Sequence, residues 1–440
     1  MGERDRHDLV LTGGRVIDPS LSIDDVLDVR IRDGHIAEIG ERLRAGSGER
    51  RIDVSGLVVA PGLVDVHVHF REPGQEHKET IETGSRSAAA GGFTSVCVMP
   101  NTSPTNDSVA VMQLIRARAA EVGLVNVFPV GAITKGLAGE ELTPIGALAR
   151  NGAVAISDDG HPVMNGQLMR RAMEWAAEIG IPVIDHCEDR NLAAGGVVNE
   201  GCCAARLGLK GMNRIAEEVQ VVRDCLLAEV TGAHVHIAHL SSARSLEFVR
   251  DAKARGVRVT CEVTPHHFSL TEEAIAEFDT GAKMNPPLRT GEDVSALLAG
   301  LADGTVDCIA TDHAPHHADE KALEFERAPF GIVGLETSLT IGITHLVDTG
   351  RITLARLVEL MSLTPSRLFR LGRGTLVAGS PADIVCFDPA AEFVVDAERF
   401  SSLGRNTPYQ GHHLKGRVAL TVLGGTISFQ ASETLAATTP

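Results

Sequence analysis

The stretch from residue 57 to about residue 345 alternates between short apolar runs and longer amphipathic segments. Strands that are apolar almost throughout and are separated by helices indicate a parallel sheet covered on both faces. Eight such strands favour a closed (β/α)₈ barrel of the TIM type over an open sheet. The strands are expected at 57–69, 93–100, 125–133, 153–159, 182–188, 234–240, 257–264 and 306–312, with helices at 107–121, 166–180, 214–231 and 242–255.

The two ends of the chain have a different pattern. Residues 1–56 and 370–430 contain short strand-like runs with glycine turns, and neither end alone can bury much apolar surface. We therefore expect an α/β protein in which both ends together form a small β-sandwich domain beside a barrel of residues 57–369. Residues 431–440, rich in alanine and threonine, are expected to be a flexible tail.

The composition of the chain limits which binding partners and which cellular compartment we expect. The formal net charge of the 440-residue chain is −17, which argues against nucleic acid and anionic membranes as partners. The first residues lead into no apolar stretch, and no long uncharged apolar run occurs, so we expect neither a signal peptide nor a membrane span. Eight cysteines without a C-x-x-C pair indicate a reduced, cytoplasmic protein.

Two histidines, His67 and His69, stand at the end of the first expected strand, just before a Glu-Pro-Gly turn. Side chains at i and i+2 of a strand project to the same face, so the two imidazoles are expected to point together while Val66 and Val68 point the other way. Two imidazole nitrogens suit zinc. The pair alone is equally compatible with two half-buried histidines that bind backbone carbonyls.

Four further expected strands end in residues that can bind a metal. In a (β/α)₈ barrel the carboxyl ends of the strands form the functional face. These strands end in Ser157-Asp158-Asp159-Gly160, Asp185-His186-Cys187-Glu188, Ala238-His239-Leu240-Ser241 and Ala310-Thr311-Asp312-His313. Four histidines and two carboxylates from these ends, with the first histidine pair included, are enough for two metal ions about 3.5–4 Å apart with a shared ligand.

Four other histidines near these strand ends are not expected to bind a metal. His234 and His236 have opposite parity to His239 in a regular strand, so we interpret them as structural. His266 and His267 follow the seventh strand and are expected beside the metal ligands, not among them.

Several motifs resemble those of class I dihydroorotases, which are metal-dependent cyclic-amide hydrolases of the amidohydrolase superfamily. The resemblance extends over nearly the whole chain and is specific as a combination, although His-x-His alone is common. The motifs are His67-Val68-His69-Phe70-Arg71-Glu72-Pro73-Gly74, Met99-Pro100-Asn101-Thr102, Asn285-Pro286-Pro287-Leu288-Arg289, Thr311-Asp312-His313-Ala314-Pro315-His316 and Phe330-Gly331-Ile332-Val333-Gly334.

The resemblance implies two zinc ions in each subunit. The ligands that it implies are His67, His69 and Asp312 for the first ion and His186 and His239 for the second. Many relatives bridge the two ions with a carboxylated lysine, but no lysine occurs between residues 137 and 209. In class I dihydroorotases an aspartate takes this place. By resemblance it is Asp159, and Asp158 is the alternative.

The reaction implied by the resemblance is the reversible interconversion of N-carbamoyl-L-aspartate and L-dihydroorotate, the third step of pyrimidine synthesis. Asp312, beside the metal, can accept a proton from the nucleophile and return it to the leaving nitrogen. Arg71 has the strand parity of His69, and its planar guanidinium suits a substrate carboxylate. Asn101 can add an amide donor. The further substrate contacts implied by resemblance are His69, Asn285, His316, Phe330 and Gly331.

Two alternatives stay open at this point. A hydantoinase or allantoinase would share the barrel and the metals, but Asp159 in place of lysine and Arg71 beside His-x-His disfavour it. A non-catalytic barrel that serves as a partner of aspartate transcarbamoylase should have lost metal ligands, and here all six candidates are present. A homodimer and a complex with that transcarbamoylase are the protein partners under consideration.

Overall fold

The computed structural model describes residues 8–431, so the predicted tail at 431–440 lies, apart from its first residue, outside the described residues. The chain first forms five strands: β1 Leu9–Asp18, β2 Ile23–Arg32, β3 His35–Gly40, β4 Arg50–Asp53 and β5 Val58–Pro61. Strands β1, β2 and β3 are antiparallel neighbours, and β4 and β5 both pair in parallel with the other edge of β1. The register of β1 shifts at Gly13-Gly14, between these two partners. A Cβ on Gly13, which has φ +77°, would lie 2.4 Å from Ser55 Oγ, so glycine is required there.

Eight short parallel strands follow, one in each of the predicted barrel segments. They are β6 Leu63–Val68, β7 Phe93–Val98, β8 Asn126–Pro129, β9 Ile156–Ser157, β10 Val183–Asp185, β13 Val235–Ile237, β14 Val259–Val263 and β15 Cys308–Ile309, with a separate pair, β11 Val198–Asn199 and β12 Gly211–Met212, between β10 and β13. Pairing runs β6-β7-β8 and β9-β10-β13-β14-β15. Isolated parallel bridges from Gly131 to Ile156 and from Val68 to His313 link the two sets at both edges. The strands therefore follow one another around a (β/α)₈ barrel.

The helices between the strands include the four predicted from sequence. They are α1 Ile81–Ala90, α2 Val109–Val122, α3 Ile145–Arg150, α4 Gly166–Ile179, α5 Arg190–Ala193, α6 Cys202–Leu207, α7 Ile215–Thr231, α8 Ala243–Ala254, α9 Pro265–Ser269, α10 Gly291–Asp303, α11 Ala318–Lys321, α12 Ser338–Gly342, α13 Leu354–Val358 and α14 Thr364–Leu368. Serine or threonine side chains cap several of them, as Ser108 does for α2 and Ser242 for α8. Within residues 8–431, no helix has both the length and the apolar character needed to cross a bilayer.

Three C-terminal strands return to the sheet of the N-terminal strands. They are β16 Ile384–Val394, β17 His413–Leu423 and β18 Thr426–Gln430. Strand β16 pairs with β5, which gives the order β18-β17-β16-β5-β1-β2-β3. An apolar cluster that includes Leu11, Val29 and Leu420 packs against this sheet, separately from the barrel clusters. Both termini thus contribute strands to one hydrogen-bonded sheet, as the sequence predicts.

The first predicted barrel strand, 57–69, is divided between the two sheets. Val58–Pro61 pairs with β1 and β16, and only Leu63–Val68 pairs with the barrel strand β7. The chain changes sheet at Gly62, where a Cβ would lie 2.2 Å from Thr94 Oγ1. Both pieces are completely buried, so nothing in the apolar run of the sequence indicates where the chain changes from one sheet to the other. The domain boundaries predicted from sequence stay a prediction.

Candidate metal centre

Six side chains meet just beyond the carboxyl ends of five barrel strands. His67 and His69 come from β6, Asp159 follows β9, His186 follows β10, His239 follows β13 and Asp312 follows β15. Each is at most 6% exposed. The barrel topology, which places the ends of parallel strands on one rim, explains why residues far apart in sequence lie together.

The first group of side chains surrounds the Asp312 carboxylate. Its Oδ1 lies 3.0 Å from His69 Nε2 and 3.5 Å from His67 Nε2. Burial raises the pKa of Asp312, but the neighbouring His67 and His69 outweigh it and lower the pKa to about 2. The carboxylate is therefore ionised at neutral pH.

The second group consists of His186 and His239. Their facing atoms, His186 Nδ1 and His239 Nε2, are 2.9 Å apart. Asp159 Oδ1 lies 3.8 Å from the first and 3.7 Å from the second. The same oxygen lies 3.4 Å from His67 Nε2, so Asp159 stands between the two groups.

The neighbouring Asp158 has another environment. Its Oδ1 accepts the backbone N–H groups of Ile133 and Thr134 at 2.8 and 2.9 Å, and its Oδ2 accepts the Thr134 hydroxyl. Burial raises the pKa of Asp158 to about 6. Of the two candidates for the shared position, Asp159 is thus the one whose side chain lies among the four histidines.

The donor atoms of this cluster fit a divalent metal. His67 Nε2 and Asp159 Oδ1 are buried and have no hydrogen-bond partner among the described residues. Leaving such atoms unpaired is costly. Two groups, His67 with Asp159 and His239, and His67 with His69 and Asp312, each bring their ligand atoms within 4.8 Å of one another. Nitrogen and carboxylate donors at this spacing are suited to zinc.

Strand alternation explains only part of this convergence. The register of β6 shifts between Asp65 and Val68. Val66 and Val68 pack in two different apolar clusters, so the expectation that these two side chains point to the same face is wrong. His239 and Asp312 lie beyond the ends of their strands and have positive φ values, +30° and +47°. Such backbone is unfavourable for non-glycine residues and concentrates at functional sites.

Arg71 and His316 lie beside this cluster. Arg71 is 9% exposed, and its Nε donates to the Pro315 carbonyl oxygen at 3.2 Å. One of its terminal nitrogens lies 3.4 Å from His316 Nε2, which itself donates to the Phe330 carbonyl at 2.8 Å. Among the described residues no carboxylate forms an ion pair with Arg71. The positive charge of Arg71 is therefore available for an anionic ligand.

Asn101 and Asn285 contact candidate metal ligands or their neighbours. Asn101 Oδ1 accepts the Nδ1–H of His69 at 2.9 Å, and its Nδ2 donates to Asp159 Oδ2 at 3.3 Å. Asn285 Nδ2 donates to Glu188 Oε2 at 2.7 Å. Asn101 therefore orients His69, a contact that the sequence did not predict for it.

Gly331 holds a conformation that only glycine tolerates. Its φ is +151°, and a Cβ would lie 2.5 Å from the Ala314 carbonyl oxygen. Its own carbonyl accepts Lys321 Nζ at 3.2 Å and Asn406 Nδ2 at 2.9 Å. The segment that carries Phe330 and Gly331 is thus fixed next to His316.

Several residues around the site were not predicted. Glu188 Oε2 lies 3.5 Å from His186 Nε2, and its i+2 spacing from that histidine was a usable sequence signal. Buried Lys283 donates to the carbonyls of Phe325 and Ala328, both at 2.6 Å. Glu262 contacts His67 across 195 positions of sequence, a separation for which a single sequence carries no signal.

His266 and His267 are both buried beside the cluster. His267 contacts Thr264 Oγ1 and the Pro286 carbonyl, at 2.8 and 2.9 Å. His266 Nε2 has no partner among the described residues. Neither belongs to the two donor groups around Asp159 and Asp312.

Comparison with known proteins gives one consistent result. A family model described as dihydro-orotase-like matches residues 56–245. Dihydroorotases of Geobacter metallireducens and Citrifermentans bemidjiense are 54% and 55% identical to the chain, over 96% of it and 99% and 100% of their own lengths.

Solved structures agree on the fold. The L-hydantoinase (dihydropyrimidinase) of Arthrobacter aurescens has a TM-score of 0.87 at 27% identity and covers 98% of both chains. A dihydropyrimidinase from Brevibacillus agri has a TM-score of 0.84 at 22% identity, over 96% of this chain and 95% of its own. The structures support the barrel with its terminal sheet, and the two full-length relatives, more than half identical, identify the chain as a member of the dihydroorotase family.

Proposed function

We propose that this protein is a metal-dependent dihydroorotase that interconverts N-carbamoyl-L-aspartate and L-dihydroorotate. The observation that carries the proposal is the buried, uncommitted guanidinium of Arg71 beside six side chains suited to metal binding. This arrangement offers an ion-pairing group for a substrate carboxylate and metal ligands at one place. The near-complete match to dihydroorotases supports the same reaction.

Two zinc ions are the proposed cofactors. The proposed ligands are His67, His69 and Asp312 for one ion and His186 and His239 for the other, with Asp159 shared. The unpaired buried atoms His67 Nε2 and Asp159 Oδ1 support this assignment. Bound zinc would supply Lewis acidity, which lowers the pKa of water and polarises an amide carbonyl.

Asp312 is the proposed catalytic residue for proton transfer. Hydrolysis adds water to the ring carbonyl and breaks the bond between that carbon and the ring nitrogen. The ionised carboxylate of Asp312 would accept the proton that the water loses and donate it to the departing nitrogen. Cyclisation in biosynthesis runs through the same steps in reverse.

The remaining predicted residues are proposed to bind substrate. Arg71 would pair with the substrate carboxylate through two parallel hydrogen bonds. His69, Asn101, Asn285 and His316 would contribute polar contacts. The backbone of Phe330 and Gly331 would add to them, and the hydrogen bond from His316 to the Phe330 carbonyl supports a fixed position for this segment.

The main rival is a hydantoinase-type activity, which the solved structures of similar fold carry in their names. The rival shares the barrel, so the discrimination rests on the site. Asp159, not a lysine, stands between the two histidine groups, and Arg71 provides a cation for a carboxylate that simple hydantoins and dihydropyrimidines lack. Both features favour dihydroorotate as the substrate.

The experiment that tests the proposal is an assay of purified protein on dihydroorotate, dihydrouracil and hydantoin, with metal analysis of the same sample. We expect hydrolysis of dihydroorotate, cyclisation of N-carbamoyl-L-aspartate and two zinc ions per chain. Activity on dihydrouracil without activity on dihydroorotate would assign the protein to the rival class. No activity on any of the three substrates would contradict the proposed function.

The cellular setting and partners stay predictions. We propose a place in the third step of pyrimidine synthesis, in the cytoplasm. A homodimer and a complex with aspartate transcarbamoylase are tested by light scattering of the protein alone and mixed with that transcarbamoylase. A monomer mass for the protein alone would contradict the homodimer, and a mixture that gives only the masses of the two separate proteins would contradict the complex.

A further inference from the structure

Glu262 is a carboxylate on β14 that is completely buried beneath the proposed metal site. Its Oε1 lies 2.7 Å from His67 Nδ1, and its Oε2 lies 3.0 Å from His236 Nε2. Oε1 also accepts the backbone N–H of His239 at 3.3 Å. A buried charge is tolerated when hydrogen bonds satisfy it, and here three groups do so.

These contacts fix which nitrogen of His67 carries the proton. A glutamate is ionised at neutral pH, and an ionised carboxylate only accepts hydrogen bonds. His67 must therefore donate from Nδ1, and when the ring carries only this proton, Nε2 has a free lone pair. That atom lies 3.4 Å from Asp159 Oδ1 and has no hydrogen-bond partner among the described residues. The contact with Glu262 thus presents His67 in the form that binds a metal.

The hydrogen bonds behind Glu262 have one consistent direction. When its ring carries one proton, His236 donates to Glu262 from Nε2 and accepts at Nδ1. The Thr260 hydroxyl, 2.8 Å from that Nδ1, can donate to it. The Thr260 oxygen then accepts the Nε2–H of His234, also at 2.8 Å. A chain of donors therefore leads from His234 through Thr260 and His236 to Glu262, which also accepts from His67.

We propose that Glu262 is a positioning residue for the metal ligand His67, and that His236 holds Glu262 in place for this task. The proposal rests on the metal site proposed above and adds two residues that touch neither substrate nor metal. Carboxylates that accept from a ligating histidine raise its basicity and fix its ring, and their loss commonly weakens metal binding about 10–100-fold.

The proposal also gives a role to His236, which the sequence analysis interpreted as structural. His236 is completely buried between Glu262 and the ring of Phe369, whose centroid is 5.2 Å from its own. It lies outside the two donor groups around Asp159 and Asp312, as the sequence predicts. In the structure His236 contacts Glu262, which in turn contacts the proposed ligand His67.

The test compares zinc affinity of the wild-type protein with that of Glu262→Gln, measured by competition with a chelator. Glutamine retains the shape but loses the charge. Its oxygen can accept from one histidine, but its NH2 group can only donate, so it bonds both histidines only if one of them changes its protonated nitrogen. We expect at least about 10-fold weaker zinc binding, with the larger loss at the site of His67. Nitrogen NMR should show a protonated Nδ1 on His67 in the wild type and a mixture in the variant.

Glu79→Gln is the matched control. Glu79 is equally buried and lies 3.4 Å from His313 Nε2, but His313 is not a proposed ligand. We expect its zinc affinity to equal that of the wild type. If Glu262→Gln does not fold, the zinc affinity of Glu262→Asp tests the proposal instead, because this variant keeps the charge and shortens the side chain by one methylene. It should bind zinc more weakly than the wild type.

Three results would overturn the inference, and they differ in what they imply for the proposed metal site. Wild-type zinc affinity in the folded Glu262 variant would overturn the positioning role and leave the proposed function intact. A wild-type protein that binds no zinc would remove the proposed metal site itself, and the inference with it. A third zinc equivalent that Cys308→Ser abolishes would also overturn the inference, because Glu262, His236 and Cys308 would then be ligands of another ion.

Discussion

The Nε of Arg71 donates to the backbone carbonyl of Pro315 at 3.2 Å, so a neutral group and not a carboxylate holds this buried guanidinium. Burial lowers the pKa of Arg71 to about 10, which leaves it charged at neutral pH. A cation kept in this way has its charge available for a ligand. Among the described residues Arg71 forms no ion pair with a carboxylate, which supports its proposed role in binding the substrate carboxylate.

Arg71→Met should severely impair turnover of dihydroorotate. If the guanidinium pairs with the substrate carboxylate, its removal leaves a desolvated anion without a partner, at a cost of about 2–5 kcal/mol in kcat/KM. Steady-state kinetics measure this loss. Zinc content should not change, because Arg71 is no proposed ligand.

Dihydrouracil, which lacks the carboxylate, is the control substrate for this variant. We expect slow turnover by the wild type and little further loss on substitution. Equal losses on both substrates would mean that Arg71 supports the architecture of the site and does not read the substrate.

Asp159→Ala should lose metal and activity, because its carboxylate stands between the two histidine groups. Asp158→Ala is the matched control, since that neighbour bonds Ile133 and Thr134 on the adjacent connection. Elemental analysis of both variants should give a metal loss for Asp159→Ala alone. Metal loss confined to the Asp158 variant would reverse the assignment.

Much of the fold follows from the sequence because the barrel repeats one simple pattern. Eight apolar runs separated by helical segments each contain a parallel strand. The division at Gly62 was not predictable, because the strand of the terminal sheet and the first barrel strand are both completely buried and form one apolar run. A period-two pattern cannot report a change of sheet when both faces are covered.

The proximity of the candidate ligands was predictable, but their exact geometry was not. Ligand-capable residues at strand ends meet because barrel topology brings those ends together. His236 does lie outside the two donor groups, but parity is not a valid reason for this, because His239 and Asp312 lie beyond their strands with positive φ, where parity has no meaning. The partners of the ligands, Glu262 and Asn101, depend on contacts between different strands, which no local pattern encodes.

His234 should make the protein less stable in acid. Burial and the neighbouring His236 lower the pKa of His234 to about 3, from an ordinary value of 6.5. Below pH 6.5 the unfolded chain binds a proton that the folded protein excludes, so the free energy of unfolding falls as pH falls towards 3. Above pH 6.5 both states are neutral and the contribution is constant. At pH 5 it is about 2 kcal/mol.

Urea unfolding of the wild type and His234→Gln at pH 7 and pH 5 measures this contribution. The glutamine amide can still donate to Thr260, so the variant should fold and should lose less stability between the two pH values. His35→Gln, at an exposed position on β3, is the control and should behave as the wild type does. Equal losses in His234→Gln and the wild type would contradict the prediction.

Asp312→Asn should keep the fold and lose catalysis in both directions. The same carboxylate must accept a proton during hydrolysis and supply one during cyclisation, and an amide does neither. We expect kcat to fall at least about 100-fold for dihydroorotate hydrolysis and for N-carbamoyl-L-aspartate cyclisation. Because Asp312 Oδ1 also lies 3.0 Å from His69 Nε2, zinc content must be measured on the same samples. Lost activity with zinc retained supports proton transfer, loss in proportion to zinc assigns Asp312 a ligand role alone, and activity retained in either direction contradicts both.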